Sequence, residues 1–197
     1  MYLLKNLNKW GGVILLLAMF VMFNSEVRAS SGTYSISAGG CEYIVEVNFL
    51  CQINTGFSSS YSVEGFSLAD PSCTTTLTVD ELANAISNKI AEDPFLYFPV
   101  CTTVGYPPCS SQFREVWRQA EPLCWKRLDF PGGTQYAACD EGYCYTDWEY
   151  CFDGIDVIQT QVGLSWKDNI GNCPGDINEP SWLQYGLCSP VKTDCDQ

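Results

Sequence analysis

The sequence predicts a mainly β fold, with α+β as its variant: an antiparallel sheet or sandwich carrying one short helix and stapled by disulfides. Three observations carry this prediction. Alternating apolar and polar residues recur in short runs, as in CEYIVEVNFLC (41–51) and YCYTDWEYCF (143–152), which is the period of a strand with one buried face. Turn signals such as PGG and DGID separate the runs in the second half. Twelve cysteines accompany no histidine, an even count that in an exported chain reads as a disulfide framework of at most six bridges.

Export is read from the N-terminus. Lys5 and Lys9 precede the apolar run GGVILLLAMFVMF (11–23), and Val27 and Ala29 supply small residues for cleavage after Ala29. This order predicts a signal peptide over 1–29 and one domain over 30–197, with a loop-like tail from about residue 167. The apolar run is shorter than the roughly 20 residues of a membrane span, and no second such run follows it. An uncleaved anchor is the rival reading. The expected localisation is therefore secreted, extracellular or cell-surface, with the periplasm as a variant. Without the leader the chain keeps seven basic and 22 acidic residues, a formal net charge of −15. Such a surface repels phosphate backbones and anionic lipid, which disfavours nucleic acid and membrane surfaces as partners.

Along the mature chain, TYSIS and CEYIVEVNFLC open as strands, with Tyr43, Val45, Val47 and Phe49 on the core face. YSVEGFSL returns as another strand. TVDELANAISNKIAEDP then predicts a helix, with Thr78 and Glu81 forming a capping box and Val79, Leu82, Ala83, Ile86 and Ile90 at helical spacing. FLYFPVCTTVGYPPC holds three prolines and reads as an irregular or edge segment. In SSQFREVWRQAEP the spacing of Phe113, Val116, Trp117 and Ala120 favours a short helix over an edge strand. The remainder predicts a four-strand meander: CWKRLDF, TQYAAC, YCYTDWEYCF and VIQTQVGLSW.

The framework cysteines are Cys41, Cys51, Cys73, Cys101, Cys109, Cys124, Cys139, Cys144, Cys151, Cys173, Cys188 and Cys195. Cys41 and Cys51 end one strand and stand about 33 Å apart along it, so they cannot bond to each other. Cys144 and Cys151 likewise need other partners. Cys101 with Cys109 and Cys139 with Cys144 are the local pairs the spacing suggests. A thiolate metal site is disfavoured because there is neither a CxxC pair nor a histidine.

The absence of histidine also removes Ser-His-Asp and Cys-His catalysis, and neither a P-loop nor GxGxxG is present. Ser189 and Lys192 match SxxK by chance, in a tail without SDN or KTG. Any catalysis falls to carboxylates. Asp147 and Glu149 stand two residues apart on the outward face of one strand, roughly 6.5 to 7 Å, as a general acid and base flanking a glycosidic bond would. A wet strand face displaying acids beside tyrosines explains the same pattern without catalysis. No cofactor is implied beyond a structural calcium, for which Asp168, Asp176 and Glu179 in a glycine-rich loop are the candidates.

Aromatic residues are abundant. Trp148 and Trp166 are the core candidates by strand parity, while Tyr143, Tyr145, Trp117 and Trp125 suit a binding surface with Arg114 and Arg118. Arg114, Arg118, Lys126 and Arg127 form a basic patch that either docks a second copy or pairs within the chain. The reading is a non-catalytic exported module for extracellular binding or structure, its partner a protein, a carbohydrate or itself. A carboxylate-dependent glycan hydrolase is the alternative. A secreted inhibitor or toxin-like effector, presenting the loop CTTVGYPPC, is the second.

Overall fold

The computed structural model describes residues 27–52, 59–101, 105–139 and 142–168, together with 173, 186, 188–190 and 195. The leader predicted over 1–29 lies outside these residues as far as residue 26. The fold is mainly β. In chain order it comprises β1 (Val27–Ala38), β2 (Cys41–Gln52), β3 (Ser59–Leu68), α1 (Val79–Glu92), α2 (Pro94–Tyr97), a 3-10 turn (Pro99–Cys101), β4 (Glu115–Pro122), β5 (Cys124–Phe130), β6 (Gly133–Ala138), β7 (Tyr143–Phe152), β8 (Val157–Lys167) and β9 (Ser189–Pro190). Among the described residues no helix is long and apolar enough to cross a membrane. β1 starts three residues before the expected cleavage point, and Val27, Arg28 and Ala29 pair with Gln52, Cys51 and Leu50.

Among the described residues nine strands form one forked sheet. β1, β2 and β3 are antiparallel neighbours. The second edge of β3 then serves two strands. Ser59–Ser62 run parallel to Trp117–Ala120 of β4, whereas Gly65–Ser67 run antiparallel to Gln135–Ala137 of β6. One arm continues through β7 and β8, the other through β5 and β9. The sheet is therefore mixed. Its one parallel pair is closed by the long connection bearing α1 and α2, as a parallel crossover requires.

Two sequence expectations are corrected here. The four-strand meander is two separate hairpins, β5–β6 and β7–β8, on opposite arms. The segment expected as a helix near Trp117 is strand β4. Its inward side chains are Trp117, Gln119 and Glu121, and two polar residues at core positions hide the period of two.

The core lies between the sheet and α1. Tyr43, Val45, Val47 and Phe49 of β2 point inward as expected, against Tyr61, Val63 and Phe66 of β3 and the apolar face of α1. The helix start matches its sequence signature, with Thr78 Oγ1 accepting from Glu81 N and Glu81 Oε2 accepting from Thr78 N. Two sheet tyrosines fasten the helix: Tyr61 Oη donates to the Ser87 carbonyl at 3.1 Å, and Tyr150 Oη donates to that of Ala91. Phe98, fully buried after α2, has ring contacts with Tyr34, Phe49, Tyr61, Tyr97 and Trp117. A polar chain crosses the same interior. Trp148 Nε1 donates to Gln119 Oε1 at 2.7 Å, and Gln119 Nε2 donates to Glu121 Oε1 at 2.8 Å. This satisfies groups that would be costly if buried alone.

All twelve cysteines are paired: Cys41–Cys73, Cys51–Cys101, Cys109–Cys151, Cys124–Cys173, Cys139–Cys188 and Cys144–Cys195. Neither local pair suggested by spacing exists. Cys101 is held by Cys51 and Cys109 by Cys151, so CTTVGYPPC is closed by no bridge of its own. Cys73, to which the spacing assigns no partner, takes Cys41, with Cα atoms 5.9 Å apart. It thereby ties the segment between β3 and α1 to the start of β2, and this non-local partner is a matter of strand pairing rather than of spacing. Sequence separations run from 32 to 51 residues, loops for which the chain-entropy account gives roughly 4 kcal/mol per bridge.

Phe98→Ala is expected to cost about 3–5 kcal/mol by chemical denaturation, because the cavity removes stacking and packing contacts together. A second expectation concerns pH. Burial raises the carboxyl pKa of Glu115 at the start of β4, so the folded state binds the proton more tightly than the unfolded chain. Its contribution is full below the unfolded carboxyl pKa and is lost as pH rises through the folded one. Glu115→Gln is therefore expected to raise Tm at neutral pH and to leave it unchanged below about pH 4.

Candidate functional site

Strand alternation gives the sheet a second face, turned away from α1. On β1 and β2 it carries Ser31, Thr33, Glu46 and Asn48, and on β3 it carries Ser60, Ser62 and Glu64, all outside the buried core. Small side chains leave this face concave. Three hollows open on it and share residues. One, about 520 Å³, is lined by Ser31, Asn48, Ser60, Ser62, Arg118 and Tyr145. The next, about 370 Å³, shares Ser31 and Asn48 and adds Thr33, Glu46 and Glu64. The third, about 430 Å³, shares Glu46 and reaches Gln135, Thr134 and Phe130 at the β5–β6 turn. Each volume falls within the roughly 300–1,000 Å³ of small-ligand sites. Together they make one furrow across the sheet.

The β2–β3 register explains why the two carboxylates meet there. Glu46 pairs with Gly65 and Val47 with Val63, so Glu64 is the extra residue of a bulge, a device that re-aims a side chain. Ser62 Oγ donates to Glu64 Oε1, and Gln135 Nε2 donates to Glu46 Oε1 at 3.3 Å.

An aromatic wall closes the β7–β8 end. Tyr145 has ring contacts with Tyr143 at 6.2 Å and Trp166 at 5.6 Å between centroids. Arg118 reaches across from β4, its Cζ 4.8 Å from the Trp166 centroid and 5.9 Å from that of Tyr145. Its Nε and Nη2 donate to the two oxygens of Asp147 at 2.8 and 3.0 Å. The register places Arg118 directly opposite Asp147, and this hydrogen-bonded pairing raises the guanidinium pKa. Asp168 fixes the wall from behind, accepting from Tyr143 N at 2.7 Å and Tyr145 Oη at 3.0 Å. Burial, followed by the bond to Asp168, raises the pKa of the Tyr145 phenol.

Several sequence expectations now have places. Tyr143, Tyr145 and Arg118 come together on the outer face. Trp117 and Trp125 do not: they are 0% and 1% exposed, inside the core, and cannot line a surface. Trp166, expected in the core, is 39% exposed on the wall, because the register shift between Tyr145 and Asp147 places it opposite Tyr145. Arg114 is exposed and donates to the carbonyls of Cys109, Ser111 and Phe113, holding its own loop. Arg118 and Arg127 pair with Asp147 and Asp129, so the basic patch turns largely to its own chain.

Asp147 and Glu149 share the outward face as expected, opposite Val162 and Thr160 of β8, but both oxygens of Asp147 are engaged by Arg118. Of the calcium candidates, Asp168 serves the two tyrosines, while Asp176 and Glu179 lie outside the described residues. Among the described residues no group of three or more Cys, Asp or Glu side chains is arranged to hold a metal ion. In the proposed effector loop, Tyr106 turns inward, stacking on Phe95 at 4.2 Å and donating to Asp93 Oδ1 at 2.6 Å. The serines and asparagine of the furrow escaped the sequence reading, although their signal is visible as hydroxyls at alternate positions in SSGTYSIS and SSYSVEG.

A double-mutant cycle of Arg118→Ala and Asp147→Ala is expected to give a coupling near 1 kcal/mol in thermal or urea unfolding, about the upper range for a partly exposed bidentate pair. A coupling indistinguishable from zero would show the pair to be ornamental. No protein-family model matches this chain, and neither a curated protein nor a solved structure matches it.

Proposed function

We propose that this is an exported, disulfide-stabilised, non-catalytic module that binds a neutral glycan along the outer face of its sheet. The observation that carries the reading is the furrow. Hydroxyls of Ser31, Thr33, Ser60 and Ser62, the amide of Asn48 and the carboxylates of Glu46 and Glu64 line it, and an aromatic wall ends it. Sugar hydroxyls both donate and accept, which suits a floor that mixes hydroxyl, amide and carboxylate. Rings at the end supply apolar contact area at low entropic cost.

Charge narrows the class. Glu46 and Glu64 stand in the middle of the furrow, and the charge of Arg118 is already offset by Asp147. A polyanion would meet repulsion there, and a neutral chain would not. The engagement of both Asp147 oxygens favours binding over an acid–base role.

Affinity gel electrophoresis tests the proposal. The anionic protein is expected to be retarded in gels containing at least one of dextran, xylan or hydroxyethyl cellulose, and to migrate freely in alginate. Asn48→Ala combined with Tyr145→Ala is expected to weaken the retardation at least tenfold while near-UV dichroism is preserved. Free migration in every neutral polysaccharide, or equal retardation of wild type and variant, would overturn it.

A further inference from the structure

The sheet ends at β8, and among the described residues β8 pairs only with β7. A free edge strand offers a row of unpaired backbone groups, which proteins usually guard with charge or proline. From Val157 to Val162 there is neither, and the irregularity of the β7–β8 register lies beyond Val162. From Val157 to Trp166 the strand VIQTQVGLSW contains no charged residue and no proline, in a chain of formal net charge −13. Its outward side chains, Ile158 and Val162, are each 40% exposed. The two most exposed large apolar side chains among the described residues are Ile155, at 84% in the β7–β8 turn, and Leu164, at 89% within the strand.

We infer that β8 is the docking edge for β8 of a second copy, the two strands pairing antiparallel about a two-fold axis at Thr160. The pattern is self-complementary about that residue. A two-fold there sets Ile158 of each copy opposite Val162 of the other, on the face that also carries Thr160. It brings Ile155 of one copy beside the irregular stretch of the other between Val162 and Trp166, which holds Leu164. Charge agrees with the same register. Lys167, beyond that irregularity, comes to the turn of the second copy that bears Asp153 and Asp156. Two molecules that repel through most of their surface can meet here, where neither carries charge between Val157 and Trp166. The pairing joins two sheets into one, and the furrow floor on β1, β2 and β3 is separated from the contact by β4 and β7.

Sedimentation equilibrium of the oxidised, exported protein tests the inference. Wild type is expected to shift from monomer to dimer with rising concentration and to stop at dimer, as a closed two-fold contact requires. Ile158→Lys with Val162→Lys, at exposed positions that leave the core intact, is expected to remain monomeric. The matching variant Ile158→Glu with Val162→Glu is expected to remain monomeric alone. An equimolar mixture of the two variants is expected to regain the dimer, because the introduced lysines of one copy face the introduced glutamates of the other. A monomeric wild type, a dimeric lysine variant, or a mixture that stays monomeric would each overturn the inference.

Discussion

The structure depends on one strand satisfying two partners along a single edge. The first half of β3 bonds parallel to β4 and its second half bonds antiparallel to β6, with the change falling between Ser62 and Gly65. A straight ladder cannot turn from one to the other without a break, and the break is the bulge at Glu64. Gly65 lets β6 come close beside it. A Cβ there would lie 3.1 Å from the Tyr136 carbonyl oxygen, a tight contact that β6 would have to relieve by a few tenths of an ångström. Val63 and Phe66, on either side of the break, both point inward and are 0% and 1% exposed. The core therefore stays continuous while the sheet divides above it.

That division also determines what each face can be. The inner face is filled with rings, and Phe98 alone joins β1, β2, β3 and β4 through aromatic contacts. The outer face of β1 to β3 carries serine, threonine, asparagine and glutamate. Hydroxymethyl groups stand barely above the pleat, so the backbone surface between taller neighbours becomes a trough. The tall neighbours are Tyr145 and Trp166 on one arm and Phe130 on the other. Fork and furrow are thus two aspects of one arrangement, since the two arms supply the two ends.

The parts of the fold that could be read in the sequence are those whose information is local. The alternation in CEYIVEVNFLC carries its own burial pattern, and the capping box of Thr78 and Glu81 announces the helix it starts. β4 is obscured because Gln119 and Glu121 occupy core positions, made tolerable by the hydrogen bond between them and by Trp148, which lies 29 residues from Gln119. The same stretch mimicked a helix through Phe113, yet Phe113 is 81% exposed. The hairpins were visible but not their partners, because pairing β6 with β3 and β7 with β4 depends on long-range geometry. The same holds for the bridges: Cys73 finds Cys41 only once β2 and β3 lie side by side. On the site, Tyr143, Tyr145 and Arg118 followed from aromatic and charge pattern. The furrow's hydroxyls look like ordinary strand exteriors until three strands are set together.

The disulfides add a last consequence. Cys124, Cys139 and Cys144 take Cys173, Cys188 and Cys195 in the same order, at separations of 49, 49 and 51 residues. Half of the framework therefore waits for the final stretch of the chain, whereas Cys41–Cys73, Cys51–Cys101 and Cys109–Cys151 are complete before it. A polypeptide released short of residue 173 would leave three sulfurs on β5, β7 and the segment after β6 without mates. Its thiol content would report an unfinished molecule to any quality-control machinery that reads free sulfhydryls, and only a chain that includes Cys195 would fall silent.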